Sequence, residues 1–316
     1  MKNNQVLSRE LNVLRDAFGP TILEALADKH VVEVMVNADG KIWVDKIGQG
    51  RFDTGSVLDF AKRDTILKMV AHHTGEMITR DNPRLSAVLP DTGERFQGLC
   101  PPIVSSPSFT IRKRPEVIFT LQDYIDQGSL TKERADQFTK AVENKKNILV
   151  VGGTGSGKTT FVNALLALPA FIDERVVIIE DTPELQCSAA DKMELLTKRT
   201  EPKVTMRDLV MTTLRLRPDR IIVGEVRDGS ALDMLKAWNT GHPGGIATIH
   251  ANSAYDALGR IEDLVGEVSL RVSHRAIASA IDLIVFMCRT SKGREVREII
   301  SIEGYENGRY LLKEIF

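Results

Sequence analysis

At 316 residues, with 42% hydrophobic and 27% charged side chains, the chain has an ordinary globular composition and length enough for two domains, each burying its own core. The 42 Lys and Arg nearly cancel the 43 Asp and Glu for a net charge of -1, which excludes a global field drawing the chain to nucleic acid or acidic lipid and leaves only local patches. The opening Met1-Lys2-Asn3-Asn4 lacks a secretory core, apolar runs such as 283–288 fall far short of the roughly 18 residues of a membrane helix, and Cys100, Cys187 and Cys288 lack metal-type spacing, so a soluble cytoplasmic protein with reduced thiols is expected.

Apolar positions at helical spacing (Leu7, Leu11, Leu14, Phe18, Ile22, Leu23, Leu26) run over 6–28 and are broken by Gly19-Pro20, which predicts two short helices. The next apolar stretches, Val31–Val36 and 41–44, flank Asn37-Ala38-Asp39-Gly40, a hairpin signal. A helix fits 57–73 and ends at Gly75, and short strands are predicted at 86–89, 95–99 and 108–112. These elements compose a small α+β domain with an antiparallel sheet over 1–114. Pro115 opens a linker over 115–120, because proline lacks an N–H and restricts the residue before it.

Over 121–316 the pattern changes. Helical segments at 121–141 lead to apolar strands at 148–151, 176–179, 221–223, 246–249 and 283–287, with helical stretches between most of them. Strands that alternate with helices and stay apolar throughout imply a parallel sheet covered on both faces. The chain ends in a hairpin, 298–302 and 310–315, around Asn307-Gly308.

The first of these strands runs straight into Gly152-Gly153-Thr154-Gly155-Ser156-Gly157-Lys158-Thr159, and a helix-compatible stretch follows from Thr160. Strand, glycine loop and helix in that order make a phosphate-binding P-loop. Glycines let backbone N–H groups crowd a polyphosphate, and the helix start near Lys158 adds unpaired amides and a positive dipole end. Lys158 is expected on the β and γ phosphates and the Thr159 hydroxyl on Mg²⁺.

Ligands of an open parallel sheet bind beyond the carboxyl ends of its strands, so each strand is read at its last residue. The strand at 176–179 ends in Glu180-Asp181-Thr182-Pro183-Glu184, the one at 221–223 in Gly224-Glu225-Val226-Arg227-Asp228, and the one at 246–249 in His250. Glu225 is the candidate for aligning and polarising an attacking water. Glu180 and Asp181 are candidates for the metal's water shell, since Mg²⁺ keeps several waters and takes few direct protein ligands. The Asp that usually supports the metal at the end of the third strand is replaced by Gly224, which leaves metal contact to Thr159 and waters. His242 and His250 fit donors that sense the γ-phosphate or link neighbouring subunits better than zinc ligands. Arg95, Arg112 and Arg114 lie near the linker, where closure of the first domain would bring guanidinium groups to the phosphates.

With these residues assembled, the chain resembles the secretion ATPases of type II secretion, type IV secretion and type IV pilus machines. Four boxes match in order: "GGTGSGKT", "IEDTPEL", "RPDRIIVGEVRD" and "TGHPGGIATIHA". The stretch "ERFQGLCPPIVSSPSFTIRKR" extends the likeness into the first domain, and "VVEVMVNADGKIWVDK" together with the compact length looks most like the TrbB-type ATPases of conjugative transfer. The resemblance implies an α/β fold with a RecA-like P-loop NTPase domain behind a smaller α+β domain, with ATP and Mg²⁺ as ligands. It also implies a homohexameric ring at the cytoplasmic face of the inner membrane, working with membrane components of a secretion or conjugation apparatus, associated peripherally and reading no nucleic-acid sequence. Carried over by position, Gly153, Thr154, Gly155, Ser156, Gly157, Lys158, Thr159 and Thr160 bind the nucleotide and Glu225 is the catalytic acid–base. Glu180 and Glu184 belong to the acidic box, His242 and His250 to the histidine box, Thr159 to the metal, beside the Asp181 read above for its water shell, and Arg95 and Arg112 to the arginines that reach the nucleotide.

Two other classes share part of the pattern. A nucleic-acid motor of the RecA type has the same domain, but net charge near zero and 5% aromatics give little sign of a strand-binding track with stacking platforms. A small-molecule kinase would use the P-loop and leave the histidine box and first domain idle.

Overall fold

In the computed structural model, which describes residues 2–90, 92–114, 117–198, 201–290 and 293–315, the chain divides into two units, Met1–Val117 and Ile118–Phe316. Of the predicted linker, Pro115 and Glu116 lie outside the described residues.

The amino-terminal unit opens with α1 (Lys2–Ala27), which bends sharply where Gly19 takes φ 71° and ψ 174°. Two helical runs thus meet at the Gly19-Pro20 break, since Pro20 cannot donate back into the preceding turn. β1 (Val31–Val36), β2 (Lys41–Lys46) and β3 (Gly50–Val57) follow, then α2 (Phe60–His73), β4 (Arg84–Val88), β5 (Arg95–Leu99) and β6 (Ser108–Arg112). They form one antiparallel sheet in the order β3-β2-β1-β6-β5-β4. The hydrophobic pattern misses β3, whose residues Gly50-Arg51-Phe52-Asp53-Thr54-Gly55 carry one large apolar side chain among polar ones. Consequently the helix predicted from 57 starts later: Val57 ends β3, and Asp59 caps α2 by accepting from Lys62 N at 2.8 Å. Leu14, Phe18 and Ile22 of α1 and Ile66 and Val70 of α2 pack with Val34, Phe96 and Ile111 of the sheet.

In the second unit, α3 (Leu121–Asp126) and α4 (Lys132–Glu143) precede β7 (Ile148–Gly152) and α5 (Lys158–Leu166). β8 (Arg175–Glu180), β9 (Asp191–Leu196), α6 (Met206–Thr213), β10 (Arg220–Val223), α7 (Ser230–Asn239) and β11 (Ile246–Ile249) follow. α8 (Asp256–Gly266), α9 (His274–Ala280), β12 (Leu283–Thr290), β13 (Gly293–Glu306) and β14 (Arg309–Glu314) complete it. The sheet order is β14-β13-β12-β7-β11-β10-β8-β9. From β12 to β9 every pairing is parallel, and β13 and β14 add antiparallel strands at one edge.

Side-chain alternation along the central strands divides the core into two layers. Leu149, Val151, Val177, Ile179, Ile221 and Val223 pack with α6, α7 and α8 on one face. Ile148, Val150, Val176, Ile178 and Ile222 pack with α3, α4 and α5 on the other. β7 lies between β12 and β11, so the glycine loop leaves the middle of the sheet. The closing hairpin turns at Asn307 and Gly308, with φ 51° and 79°, the double left-handed pair that a two-residue turn of matching twist needs. Among the described residues no helix is long and apolar enough to cross a membrane.

Candidate nucleotide site

β7 ends at Gly152, and α5 begins at Lys158 directly after Gly157, with no side chain capping its start. The first amides of α5 therefore keep their donors toward the loop. Ser156 is buried, and its hydroxyl finds no hydrogen-bond partner among the described residues. An orphaned buried hydroxyl inside a glycine loop at a helix start suits a polyphosphate, which brings acceptors to all of these donors. Thr159 and Thr160 occupy the first turn of α5, half-buried. Gly153, Thr154 and Gly155 form the exposed crest of the loop, with the Gly153 carbonyl accepting from Ser156 N.

Lys158 is 8% exposed, and its ammonium reaches Gly152 O at 2.9 Å, Gly153 O at 3.1 Å and His250 Nδ1 at 3.4 Å. The parallel order β7-β11-β10-β8 sets His250, Glu225 and Glu180 on consecutive strand ends beside the loop. His250 Nε2 lies 2.6 Å from Glu225 Oε1. An ammonium can only donate, so Nδ1 accepts from Lys158 and the ring proton sits on Nε2, facing Glu225.

Burial pushes the Glu225 carboxyl upward, but the hydrogen bond and charge of Arg227 and the charges of His250 and Lys158 outweigh it, holding Glu225 below the usual carboxylate range. Burial and the Lys158 charge push His250 down against the pull of Glu225. Near neutral pH the pair is therefore a carboxylate beside a neutral imidazole. Such a carboxylate can orient a water and take its proton; such an imidazole can donate without adding charge.

Glu180 is 4% exposed, and its Oε1 accepts from Glu184 N at 2.9 Å and Leu185 N at 3.0 Å. It thereby ties down the loop that carries Asp181 and Glu184. Asn163 in α5, which the sequence patterns do not single out, holds the same loop from the other side. Its amide donates to Glu184 O at 3.1 Å and accepts from Gln186 N at 2.9 Å. An Asn inside the apolar run Phe161-Val162-Asn163-Ala164-Leu165 is the one signal that could have found it.

The absent Asp at position 224 has a steric explanation. A Cβ there would stand 2.9 Å from Glu180 Cγ, closer than side chains pack, with Ile179 O at 3.4 Å. Gly224→Asp should displace Glu180, lower turnover at least about tenfold and destabilise the chain by roughly 1–3 kcal/mol. Melting and phosphate-release measurements check this, and a variant matching wild type in both would mean that the neighbours yield without consequence.

Asp181 sits among partners: Thr197 Oγ1 donates to its Oδ1 at 2.8 Å, and Arg227 approaches its Oδ2 at 3.5 Å. Arg227 also pairs with Glu225 Oε2. Among the described residues no group of three or more His, Cys, Asp or Glu could hold a metal ion. The Thr159 hydroxyl, half-buried in the first turn of α5, is an oxygen donor of the kind that fits Mg²⁺, an ion that arrives with phosphate oxygens and keeps its waters. A cavity of about 270 Å³ opens beside Glu225 and Arg227, lined also by Asp181, Thr197, Lys198 and Ser230.

His242 is not brought to this group. It precedes β11, at the end of the strand opposite His250, and its Nδ1 donates to Pro218 O at 3.0 Å. Arg95 and Arg112 face each other across β5 and β6 in the amino-terminal unit, and Arg112 is also opposite Glu33 of β1. Burial raises the Glu33 pKa while Arg112 and Arg95 oppose the rise. Sequence reading also passed over Arg227, although its spacing of two from Glu225 places both on one side of an extended segment. Thr197, on the strand end after β9, carries no signal in the sequence.

A phosphate loop on the central strand of a mainly parallel sheet, with carboxylates and an imidazole on the neighbouring strand ends, defines a RecA-like P-loop NTPase domain, here preceded by an antiparallel α+β unit. The chain is 46% identical to the conjugal transfer protein TrbB of Rhizobium radiobacter over 304 residues, covering 96% of this chain and 93% of that one. It is 31% identical to the type IV secretion system protein VirB11 of Bartonella henselae, covering 87% and 89%. The X-ray structure of the Legionella pneumophila ATPase DotB shares the fold with a TM-score of 0.63 at 18% identity, covering 88% of this chain and 79% of that one. This protein belongs to the Type II/IV secretion system protein family, whose model matches residues 17–303.

Proposed function

We propose that the chain hydrolyses ATP and acts as a ring motor for conjugative DNA or protein transfer or type IV secretion, by domain motions coupled to nucleotide turnover. The observation that carries this reading is the unbroken contact series Lys158–His250–Glu225 across the ends of β7, β11 and β10. It joins a phosphate-binding ammonium to an ionised carboxylate suited to activating water. The 46% identity to a conjugal transfer protein supports conjugative transfer as the process served.

In this reading the loop amides from Gly153 to Thr160 cradle the phosphates and Lys158 neutralises the β and γ oxygens. Glu225 accepts the proton of the water that attacks the γ-phosphorus as the bond to the β-phosphate oxygen breaks. His250 donates to Glu225 and follows its position. Thr159 and, through a water, Asp181 hold Mg²⁺, which when bound would offset charge on the phosphates. Glu180 and Glu184 shape the acidic loop. His242, at the far end of β11, serves a contact between subunits of a hexamer. Such a ring would work at the cytoplasmic face of the inner membrane, bound to membrane components of the apparatus.

The test is phosphate release from Mg-ATP by the purified chain across a wide range of protein concentrations, with Lys158→Ala as the blank. Specific activity should climb steeply with concentration as rings assemble. Constant activity from subunits shown to be monomeric would remove the ring, and no release at any concentration would remove the ATPase.

A further inference from the structure

We infer that Arg227 is a positioning residue for Glu225, binding its carboxylate to the edge of the parallel sheet through Asp181 and Thr197. The inference rests on the reading of Glu225 as the group that activates water.

Glu225 follows a strand of only four residues, β10, and stands on an irregular segment before α7. Its backbone alone cannot set the rotation of its carboxylate. One oxygen faces His250 at 2.6 Å and the other is held by Arg227, so the plane of the group is fixed from two sides. Arg227 in turn spans to Asp181 Oδ2 at 3.5 Å, and the other Asp181 oxygen accepts from Thr197 Oγ1 at 2.8 Å. Thr197 is anchored by its own backbone, which donates to Glu180 O at 3.0 Å where β8 and β9 end. The path thus runs from a reacting carboxylate to the outermost parallel strand through three side chains.

Only a planar guanidinium offers nitrogens at two angles to two separate carboxylates; a lysine presents a single point charge on a flexible stem. Arg227 is half exposed and borders the 270 Å³ cavity, so solvent screens its pairs and they contribute little to stability. The guanidinium therefore acts on turnover through Glu225, by fixing its carboxylate between two partners and by helping to keep it ionised.

Steady-state hydrolysis of Mg-ATP by the full chain tests this in Arg227→Gln, Arg227→Lys, Thr197→Val and Thr197→Ser. Arg227→Gln should lower kcat by about 10- to 100-fold with KM within about twofold of wild type, the pattern of misplaced chemistry and not of lost binding. Arg227→Lys should recover little of that loss. Thr197→Val, two side chains away from Glu225 along this path, should lower kcat about three- to tenfold at unchanged KM, and Thr197→Ser should restore it. Wild-type kcat in Arg227→Gln, full recovery in Arg227→Lys, or a kcat loss matched by a rise in KM would overturn the inference. Glu225→Gln, run alongside, separates the two readings. If it abolishes turnover while Arg227→Gln does not, the positioning role alone fails; if it turns over normally, the water-activating role fails first.

Discussion

Glu225→Gln should bind Mg-ATP as wild type does and hydrolyse it roughly 10²- to 10⁴-fold more slowly, the range a positioned general base supplies. The substitution keeps the shape and the contact with His250 while removing the acceptor for the water's proton. The phosphate loop on β7 is untouched, so equilibrium binding of a fluorescent ATP analogue and single-turnover hydrolysis separate the two effects. The sign of the pH dependence follows from the electrostatics. Arg227, His250 and Lys158 hold the carboxyl of Glu225 below its ordinary value against the pull of burial, so the base is ionised above that depressed pKa and is lost only as pH falls through it. The wild-type kcat profile should therefore show no limb from Glu225 between about pH 5 and 8. Hydrolysis by Glu225→Gln within twofold of wild type would end the assignment.

Lys158→Ala should abolish measurable turnover, with a loss in kcat/KM of at least about 10³-fold. Its ammonium is the cation of the loop, and in a nearly buried position each charge-assisted hydrogen bond is strong. The same ammonium also satisfies two loop carbonyls, Gly152 O and Gly153 O, so its removal loosens the cradle as well as discharging it. Lys158→Arg tests which matters more. A guanidinium keeps the charge but not the compact shape that fits between those carbonyls and His250, and it should recover less than about a tenth of the lost activity. Recovery to wild-type level would mean that charge alone is required.

The parts of this site that could be read from the sequence are those in which chemistry and spacing are local. The P-loop needs eight consecutive residues, and Ile148-Leu149-Val150-Val151 before it and the helix after it follow from their own hydrophobic patterns. Reading the last residue of each apolar strand led to Glu180, Glu225 and His250, because side chains beyond the carboxyl ends of parallel strands converge whatever the strand order. The same reading grouped His242 with His250 by proximity in the chain, yet the four residues of β11 carry them to opposite ends of a strand. β9 was missed for a related reason. Asp191-Lys192-Met193-Glu194-Leu195-Leu196 pairs with β8 on one side only and meets solvent over much of its length, so its charges obscure the apolar alternation on which strand reading depends.

Composition, the glycine loop, the two hydrophobic periods and the four boxes determined by themselves that this chain has an α+β portion followed by a phosphate-binding α/β domain, and which acids and histidine end its strands. Only the tertiary structure decided that β7, β11, β10 and β8 stand side by side, that a Cβ at 224 would crowd the Glu180 side chain, and that Arg227 reaches from Glu225 to Asp181. Phosphate binding and strand formation are encoded within a dozen neighbouring residues by backbone conformation and periodic burial. The order of strands in the sheet and the contacts between their ends depend instead on the packing of helices such as α5, α6 and α7 over both faces, a sum over residues far apart in the chain.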